Sequence, residues 1–327
     1  MSVAVDGCVR TSAPYSGIIN GEFVSQTELN TLLPDLIKCV NAGKIVIGVP
    51  PQFCQVSVTE AEAVFGKSRK ITQKDVQSLV KGVHADAVPV YFRADGGQAI
   101  IDAVGVVAAK LVTRVNVITF ADSFVRAMGE AILGLGVNTE FIAQPLADAM
   151  YLTDEEVRDS TCVLVLTGNF STSLAVVSGD ALVWLSSFDI GLAHVINDIS
   201  LALKIDFPIA QLLAAEVVLS VAMNENDNYQ IKINGKEQKF SARKVNQIVK
   251  KRMESVAKEL KHMIEKADKK LIGHPWFICG GFLDSLRGAR EFLSKTIGVR
   301  IIQCVDPLTK QNRPDETGLK ALVSFTN

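Results

Sequence analysis

The chain has 327 residues, of which 48% are hydrophobic and 21% are charged, and its formal net charge is −1. This composition excludes global disorder and predicts a sizeable core, in two domains or one large discontinuous domain. The near-neutral charge gives no reason to expect nucleic acid or an anionic membrane as a general partner.

The cysteines and histidines show no disulfide or metal pattern. The six cysteines include no C-x-x-C pair, and the four histidines lack metal-ligand spacing. Most cysteines lie in apolar runs, which favours buried thiols in a reducing cytosol. The N-terminal segment MSVAVDGCVR does not resemble a secretory signal, and the apolar stretches at 99–112 and 201–222 are interrupted. A soluble, cytoplasmic protein without a membrane-spanning helix is expected.

The first half predicts strands followed by alternating helices and strands. The first 24 residues are strand-rich, and a helix follows from about Ser25 to Gly43, which Pro34 either kinks or delays. The apolar run at 44–50 is typical of a strand buried on both faces. The strand–helix–strand–helix pattern at 114–159 indicates α/β architecture.

Residues 51–112 interrupt this pattern and form a compact insert. A helix in the insert is capped by Thr72, with Asp75 placed as in a capping box. Three short strands are predicted around it, and they cover 87–94, 98–102 and 106–119.

The second half opens at 162–184 with two strands joined by a tight turn that carries a cluster of hydroxyl groups. A hairpin turn at Ser178-Gly179-Asp180 then leads into a third strand at 181–191. Further helices are predicted at 192–205 and 208–223, and a second hairpin at 228–242 turns at Asn234-Gly235. A long helix at 242–270 precedes two more strand–helix pairs. Because both halves run strands first, we expect two related α/β domains with insertions.

Six segments resemble, in chain order, motifs of the bacterial cell-division protein family FtsA. They are GIINGEFVSQTELNTLL (17–33), KSRKITQKDVQSLVKGVH (67–84), FRADGGQAIIDAVGVVAAKLVTRVNVIT (92–119), FIAQPLADAMYLTDEE (141–156), FSARKVNQIVKKRMESVAKELK (240–261) and FICGGFLDSLRGAREF (277–292). The insert also lies where FtsA and its pilus relative PilM carry their subdomain 1C, and Asp102, Gly105 and Val106 hold diagnostic places in it.

The resemblance implies the fold class: α/β, with an actin-like (ribonuclease H-like) two-domain fold and an FtsA-type subdomain 1C. It assigns 1–49, 116–158 and 313–327 to subdomain 1A, whose N-terminal sheet is truncated. Subdomain 1C is then 50–115, subdomain 2A is 159–207 with 271–312, and subdomain 2B is 208–270.

In relatives of this fold, two hairpins grip a nucleotide between the halves, and each brings a carboxylate that holds Mg²⁺ through water. The second hairpin of the family reads Asp-x-Gly-Gly-Gly-Thr-x-Asp, and the matching run here is 166–173. Leu166 and Ser173 replace both carboxylates, and Phe170 adds a bulky side chain where the backbone would meet an anion. The first hairpin retains only Asp6-Gly7. The resemblance therefore implies a pseudo-ATPase, because neither hairpin keeps the family's magnesium-binding pattern.

Several residues remain as candidate nucleotide contacts. Gly168, Asn169, Ser171 and Thr172 can donate hydrogen bonds to a phosphate, but a plain hairpin held by core packing is the favoured interpretation of these residues. An adenine-facing loop or a tight strand-to-helix turn explains Gly280 and Gly281. Gln144 occupies the place of the residue that orients the attacking water, and an ordinary helix start is the alternative. No metal ligand is assigned, no cofactor is expected, and weak binding of ATP with Mg²⁺ stays open.

The expected partners are other division or assembly proteins, through an FtsZ-like tail or a small membrane-protein peptide. Self-association through subdomain 1C is a further expectation, whereas nucleic acid and a direct membrane helix are not expected. The basic outer face of 243–270 is either a docking surface for an acidic partner or a solvated face. A slow ATP-binding, polymerising FtsA homologue and a PilM-type pilus or secretion adaptor are the alternatives to a scaffold without catalysis.

Overall fold

The computed structural model describes residues 2–5, 8–12, 18–19, 22–39, 43–233, 235–279, 281, 283, 286–307 and 314–326. The predicted turns at Asp6-Gly7 and Asn20-Gly21, the turn residue Asn234 and the candidate Gly280 lie outside these residues.

The first half combines short strands, helices and two long strands. Its elements are β1 Ser2–Val5, β2 Cys8–Ser12, β3 Ile18–Ile19, β4 Glu22–Phe23, α1 Gln26–Lys38, β5 Lys44–Val49, β6 Cys54–Lys70, α2 Gln73–Lys81, β7 Val88–Ala94, β8 Val107–Phe120, α3 Asp122–Ile132, β9 Asn138–Ala143, α4 Gln144–Leu152 and α5 Glu155–Asp159.

The second half follows the predicted order of strands and helices. Its elements are β10 Cys162–Thr167, β11 Thr172–Ser178, β12 Ala181–Phe188, α6 Leu192–Leu203, α7 Phe207–Glu216, β13 Asn228–Ile233, β14 Lys236–Ser241, α8 Ala242–Ala267, β15 Trp276–Cys279, α9 Ala289–Ile297, β16 Ile301–Gln303 and α10 Pro314–Thr326. None of the helices in the described part of the chain is long and apolar enough to cross a membrane.

Among the described residues, the first half forms small sheets. Strands β1 and β2 pair antiparallel, β3 pairs antiparallel with β4, and β5 pairs parallel with β9. The rings of Phe23, Phe53 and Phe124 contact one another where α1 and α3 pack together, with ring centroids 4.9–5.8 Å apart. This aromatic cluster gives the first half its own core.

The insert forms one antiparallel sheet in the order β6-β8-β7. The strands predicted at 87–94 and 106–119 are confirmed as β7 and β8, whereas the strand predicted at 98–102 was wrong, because this segment forms only an isolated bridge between Ile100 and Phe92. Strand β6 runs unbroken for 17 residues and β8 for 14. A shift of register between Val64 and Arg69 absorbs the extra residues around Gly66. The predicted cap of α2 is confirmed: Thr72 Oγ1 accepts the Asp75 N–H, and the Asp75 carboxylate accepts the Thr72 N–H.

A five-stranded sheet in the order β12-β11-β10-β15-β16 organises the second half. The first three strands are antiparallel, and β15 and β16 continue parallel to β10. One face packs against α6, α7, α8 and α9, and the other against α4 and the first residues of β6. The predicted turn at residues 178–180 between β11 and β12 is confirmed, with Gly179 at φ +57°.

The hairpin β13–β14 and the long helix α8 follow α7. The predicted helix at 208–223 ends early, because the chain leaves α7 after Glu216 and extends. Leu219 N–H donates to the carbonyl oxygen of Arg287 at 2.7 Å, which joins this segment to the turn before α9.

Candidate functional site

The hairpin β10–β11 holds the residues that the sequence aligned with a phosphate-binding turn. Both strands lie in the sheet interior, and the turn between them is exposed from Gly168 to Phe170. Gly168 N–H donates to the carbonyl oxygen of Ser171 at 2.9 Å, so the turn closes on itself. The side chain of Phe170 stands at its tip and is 40% exposed.

The tip of this hairpin packs on the N-terminus of α6. Leu192 N–H donates to the carbonyl of Gly168 at 3.2 Å, and Ala193 N–H donates to the carbonyl of Asn169 at 2.9 Å. A helix N-terminus has unpaired N–H groups that favour an anion, and here two of them bind backbone carbonyls of the hairpin. A Cβ atom at Gly191 would stand 2.5 Å from these carbonyls, so the close approach requires glycine.

The hydroxyl groups beyond the turn are already engaged. Thr172 is fully buried, and its Oγ1 donates to the carbonyl of Ile190 at 2.7 Å. Ser173 is buried and its Oγ lies 2.7 Å from Ser187 Oγ on the neighbouring strand. Of the candidate phosphate contacts, Gly168 and Asn169 are exposed and Ser171 is half-buried, so these three reach solvent while Thr172 does not.

The predicted adenine-facing loop begins beside this hairpin. Gly281 has φ +68°, and a Cβ atom on it would overlap the carbonyl oxygen of Thr167, the last residue of β10. The structure thus brings Gly281 against the base of the candidate phosphate turn. The glycine is required here by backbone packing, whatever else the loop binds.

The side chain of Gln144 lies between α4 and α10. Its Nε2 donates to Asp148 Oδ1 at 2.7 Å and to the carbonyl oxygen of Gly318 at 3.1 Å. A Cβ atom at Gly48 would overlap its Oε1, so a side chain at this position would have to displace the Gln144 side chain. Burial raises the pKa of Asp148 to about 7, and the hydrogen bond from Gln144 opposes this shift. Whether Gln144 positions water stays a prediction.

Sequence reasoning missed polar contacts made by α4 and α10. Asp148 follows it by four residues on a helix, a spacing that puts two side chains side by side and was a usable signal. Asp306 is buried and pairs with Lys320 of α10 at 2.7 Å. No local pattern links these two residues, because the contact depends on how α10 packs. Within the described ranges, no cluster of three or more His, Cys, Asp or Glu side chains is arranged to hold a metal ion.

Magnesium prefers carboxylate, carbonyl and water oxygens as ligands. At the two positions where the resemblance expects carboxylates, this hairpin carries the apolar Leu166, which lies in the core, and the hydrogen-bonded Ser173. The residues present therefore do not fit the family's metal-binding arrangement at this hairpin.

No family model matches the chain. It is 23% identical to the cell division protein FtsA of Enterococcus hirae over 300 residues, which are 86% of this chain and 65% of that protein. The chain thus spans about two thirds of the length of the curated relative that it matches.

Solved structures match the fold over nearly the whole chain. The PilM–PilN type IV pilus biogenesis complex aligns with a TM-score of 0.61 at 14% identity, covering 97% of this chain and 89% of that chain. The MreB5 structures of Spiroplasma citri bound to AMPPNP and to ADP each align with a TM-score of 0.58 at 11% identity. They cover 95% and 96% of this chain, and 77% and 78% of the MreB5 chains. The chain therefore has the actin-like ATPase fold, and within that fold it resembles the FtsA and PilM proteins.

Proposed function

We propose that this chain is an actin-fold scaffold or adaptor protein of cell division or a related cytoskeletal assembly, with lost or much reduced ATPase activity. The observation that carries the proposal is the hairpin tip, whose carbonyls of Gly168 and Asn169 bind the N-terminus of α6. In this arrangement the hairpin tip presents carbonyl oxygens to the helix N-terminus, and carbonyl oxygens repel a phosphate group.

The missing charges support the same proposal. An ATP–magnesium complex needs oxygen ligands for the metal and N–H groups for the phosphates. Leu166 and Ser173 supply no carboxylate, and Phe170 adds an aromatic ring at the turn. Loss of one positioned electrostatic group typically costs about 10²–10³ in rate, and here several are lost together.

The relatives support an assembly role. FtsA is by name a cell division protein, and PilM was solved in a complex with PilN. An adaptor that binds a short peptide, as a PilM-type protein of a pilus or secretion machine would, is the second candidate. A slow ATP-binding, polymerising FtsA homologue is the third, favoured by the MreB5 structures that hold AMPPNP and ADP.

The partner surface belongs to the proposal too. Cations stand exposed along α8, among them Lys244, Lys251, Lys258 and Lys261, while its buried face packs on the second-half core. Such a face suits an acidic segment like an FtsZ-like tail. We further propose self-association through residues 50–115, a cytoplasmic location and no binding of nucleic acid.

Isothermal titration with ATP and Mg²⁺, together with a phosphate-release assay, tests the loss of catalysis. We expect no binding at micromolar ATP and no turnover. Micromolar binding with turnover would refute the proposal and favour the polymerising homologue. If weak binding appears, Ser171→Ala should weaken it, whereas Phe170→Ala should leave it equal or strengthen it by opening the turn.

Pull-down experiments separate the two partner classes. An FtsZ-like tail peptide and a short N-terminal peptide of an inner-membrane pilus protein serve as baits, each with a scrambled control. Retention by the first favours the division scaffold, and retention by the second favours the PilM-type adaptor. Sedimentation with and without nucleotide tests filament formation, which the scaffold proposal expects not to depend on ATP.

A further inference from the structure

Two cysteine thiols meet in the core beside the hairpin. Cys279 ends β15, and Cys304 directly follows β16, the neighbouring strand. Their sulfur atoms lie 2.9 Å apart, well inside the roughly 4 Å at which non-bonded heavy atoms touch. The two residues are only 4% and 6% exposed.

The backbone holds these cysteines in a register that a disulfide can use. Strands β15 and β16 are parallel, Ile278 stands opposite Gln303, and Cys279 and Cys304 are the residues that directly follow these two. The ladder continues, since Cys304 N–H donates to the carbonyl of Ile278 at 3.0 Å. Neighbouring strands lie about 4.8 Å apart, which falls within the roughly 4.4–6.8 Å between Cα atoms of bonded cysteines. This spacing is compatible with a disulfide between them.

We propose that Cys279 and Cys304 are an oxidative modification site, where a small two-electron oxidant such as hydrogen peroxide forms a reversible intramolecular disulfide. One thiolate attacks the peroxide, its O–O bond breaks, and a sulfenic acid forms with release of one water. The second thiol then displaces the hydroxyl group as another water, and the S–S bond forms. Two thiols and one peroxide thus give one disulfide and two waters.

The other described cysteines are placed differently. Cys162 belongs to the same core cluster, but it lies at the other end of β10 from Leu166, which pairs with Cys279. Burial raises the pKa of Cys162 to about 11, which makes its reactive thiolate scarce. Cys39 is exposed, on the surface of the first half. Proximity therefore selects the pair 279–304.

Access to this pair requires a local opening. Strand β16 has three residues and stands at the edge of the five-stranded sheet, and short edge elements open at lower free energy than central strands. Oxidation should therefore be slow compared with that of the exposed Cys39. The new bond would tie the end of β15, next to the Gly281 turn, to the chain after β16.

Peptide mapping of the full chain tests the proposal. Purified protein is treated with hydrogen peroxide, the remaining thiols are alkylated under denaturing conditions, and the digest is analysed by mass spectrometry. We expect a linked peptide pair containing Cys279 and Cys304, lighter by two hydrogen atoms and separated again by dithiothreitol. The oxidised protein should melt a few degrees higher, because the link constrains the unfolded chain.

Matched variants sharpen the result. Cys279→Ser and Cys304→Ser should each abolish the linked pair, whereas Cys162→Ser and Cys39→Ser should keep it. If a variant with a substituted core cysteine does not fold, the peptide map of the unsubstituted protein decides the test by itself. Glutathione in the same tube shows whether the peroxide was active. The proposal is overturned if glutathione is oxidised while Cys279 and Cys304 are both fully alkylated. A disulfide from either of them to another cysteine would also overturn it.

Discussion

Single glycines set the geometry around the candidate site. Gly191 lets α6 approach the hairpin tip, and Gly281 lets the loop after β15 lie on the last residue of β10. Gly281 also has a positive φ, which a residue with a Cβ adopts at a cost of about 1–2 kcal/mol. Both positions therefore require glycine for steric reasons, and Gly281 requires it for its backbone conformation as well.

We expect Gly281→Ala to lower the free energy of unfolding by about 2–4 kcal/mol, from the left-handed backbone and from overlap with the carbonyl of Thr167. Urea denaturation measures the loss. Gly298→Ala is the matched control, because Gly298 has φ +86° and open space around its Cβ direction. It should cost only about 1 kcal/mol. Equal losses in the two variants would show that the overlap does not exist in solution.

The carboxyl group of Asp148 gives the protein a pH dependence. Its pKa is about 7 in the folded chain against an ordinary value of 3.8, because burial disfavours the charge. Between these values the folded state binds more protons than the unfolded state, so stability falls as the pH rises through this window. Above the folded-state pKa the loss is complete.

Asp148→Asn should reduce this loss, since the amide has no charge to bury and its oxygen still accepts the Gln144 N–H. Thermal midpoints at about pH 5 and pH 8 measure the difference from the unmodified chain. Asp75→Asn is the control: the Arg69 and Thr72 hydrogen bonds hold the pKa of Asp75 well below its usual range. That variant should be destabilised by the same amount at both pH values. An unchanged pH dependence in Asp148→Asn would contradict the assignment.

At the scale of elements, features that depend on neighbouring residues were predicted better than features that depend on long-range contacts. The capping box at Thr72 and the turn at residues 178–180 depend on neighbouring residues, and both are confirmed. The full length of β6 was not predicted, because its pairing with β8 continues through a register shift that no local pattern reveals. The apolar stretch after Glu216 looked helical, but it extends to pair with Arg287 from a distant turn.

The candidate site shows the same division. Leu166, Phe170 and Ser173 could be identified from their places in one short motif, because the hairpin is local. The partners of the hairpin tip could not be identified in this way. Leu192 and Ala193 reach the tip only after the chain has passed through β11 and β12. The same reason hid the meeting of Cys279 with Cys304.

Helix α8 is joined to the segment after α7 by a closed ring of hydrogen bonds. Tyr229 Oη donates to Asn246 Oδ1 at 2.7 Å, Asn246 Nδ2 donates to the carbonyl of Val218 at 2.8 Å, and Val218 N–H donates to Tyr229 Oη at 3.0 Å. Because Asn246 is buried, each lost partner leaves a polar atom away from water.

We expect Asn246→Ala to lower the free energy of unfolding by about 2 kcal/mol, because the Val218 carbonyl and Tyr229 hydroxyl lose their partner. Gln247→Ala removes an exposed amide from the next position of the same helix and should change stability by less than about 0.5 kcal/mol. Urea denaturation of both variants makes the comparison. A similar small effect in both would mean that the ring contributes nothing to stability.

At the scale of the whole molecule, the two halves share one core layer. Residues of α4, the start of β6 and the end of β8 pack against one face of the five-stranded sheet, through Leu146, Val56 and Ile118 among others. One buried polar side chain crosses the same boundary: Asn116 of β8 donates to the carbonyl of Leu182 in β12 at 2.6 Å. The halves should therefore unfold together.

Asn116→Ala should uncouple them in part. The Leu182 carbonyl loses its partner, although removal of Asn116 Oδ1, which has no partner among the described residues, offsets some of the cost. We expect a net loss of about 1 kcal/mol and faster amide hydrogen exchange in β12 as well as in β8. Thr113→Val is the matched control, since Thr113 is buried on the same strand and donates only within the first half, to Tyr91 and Arg114. In Thr113→Val, amide hydrogen exchange should become faster only in β6, β7 and β8. If exchange in β12 becomes faster by the same factor in both variants, Asn116 does not couple the halves.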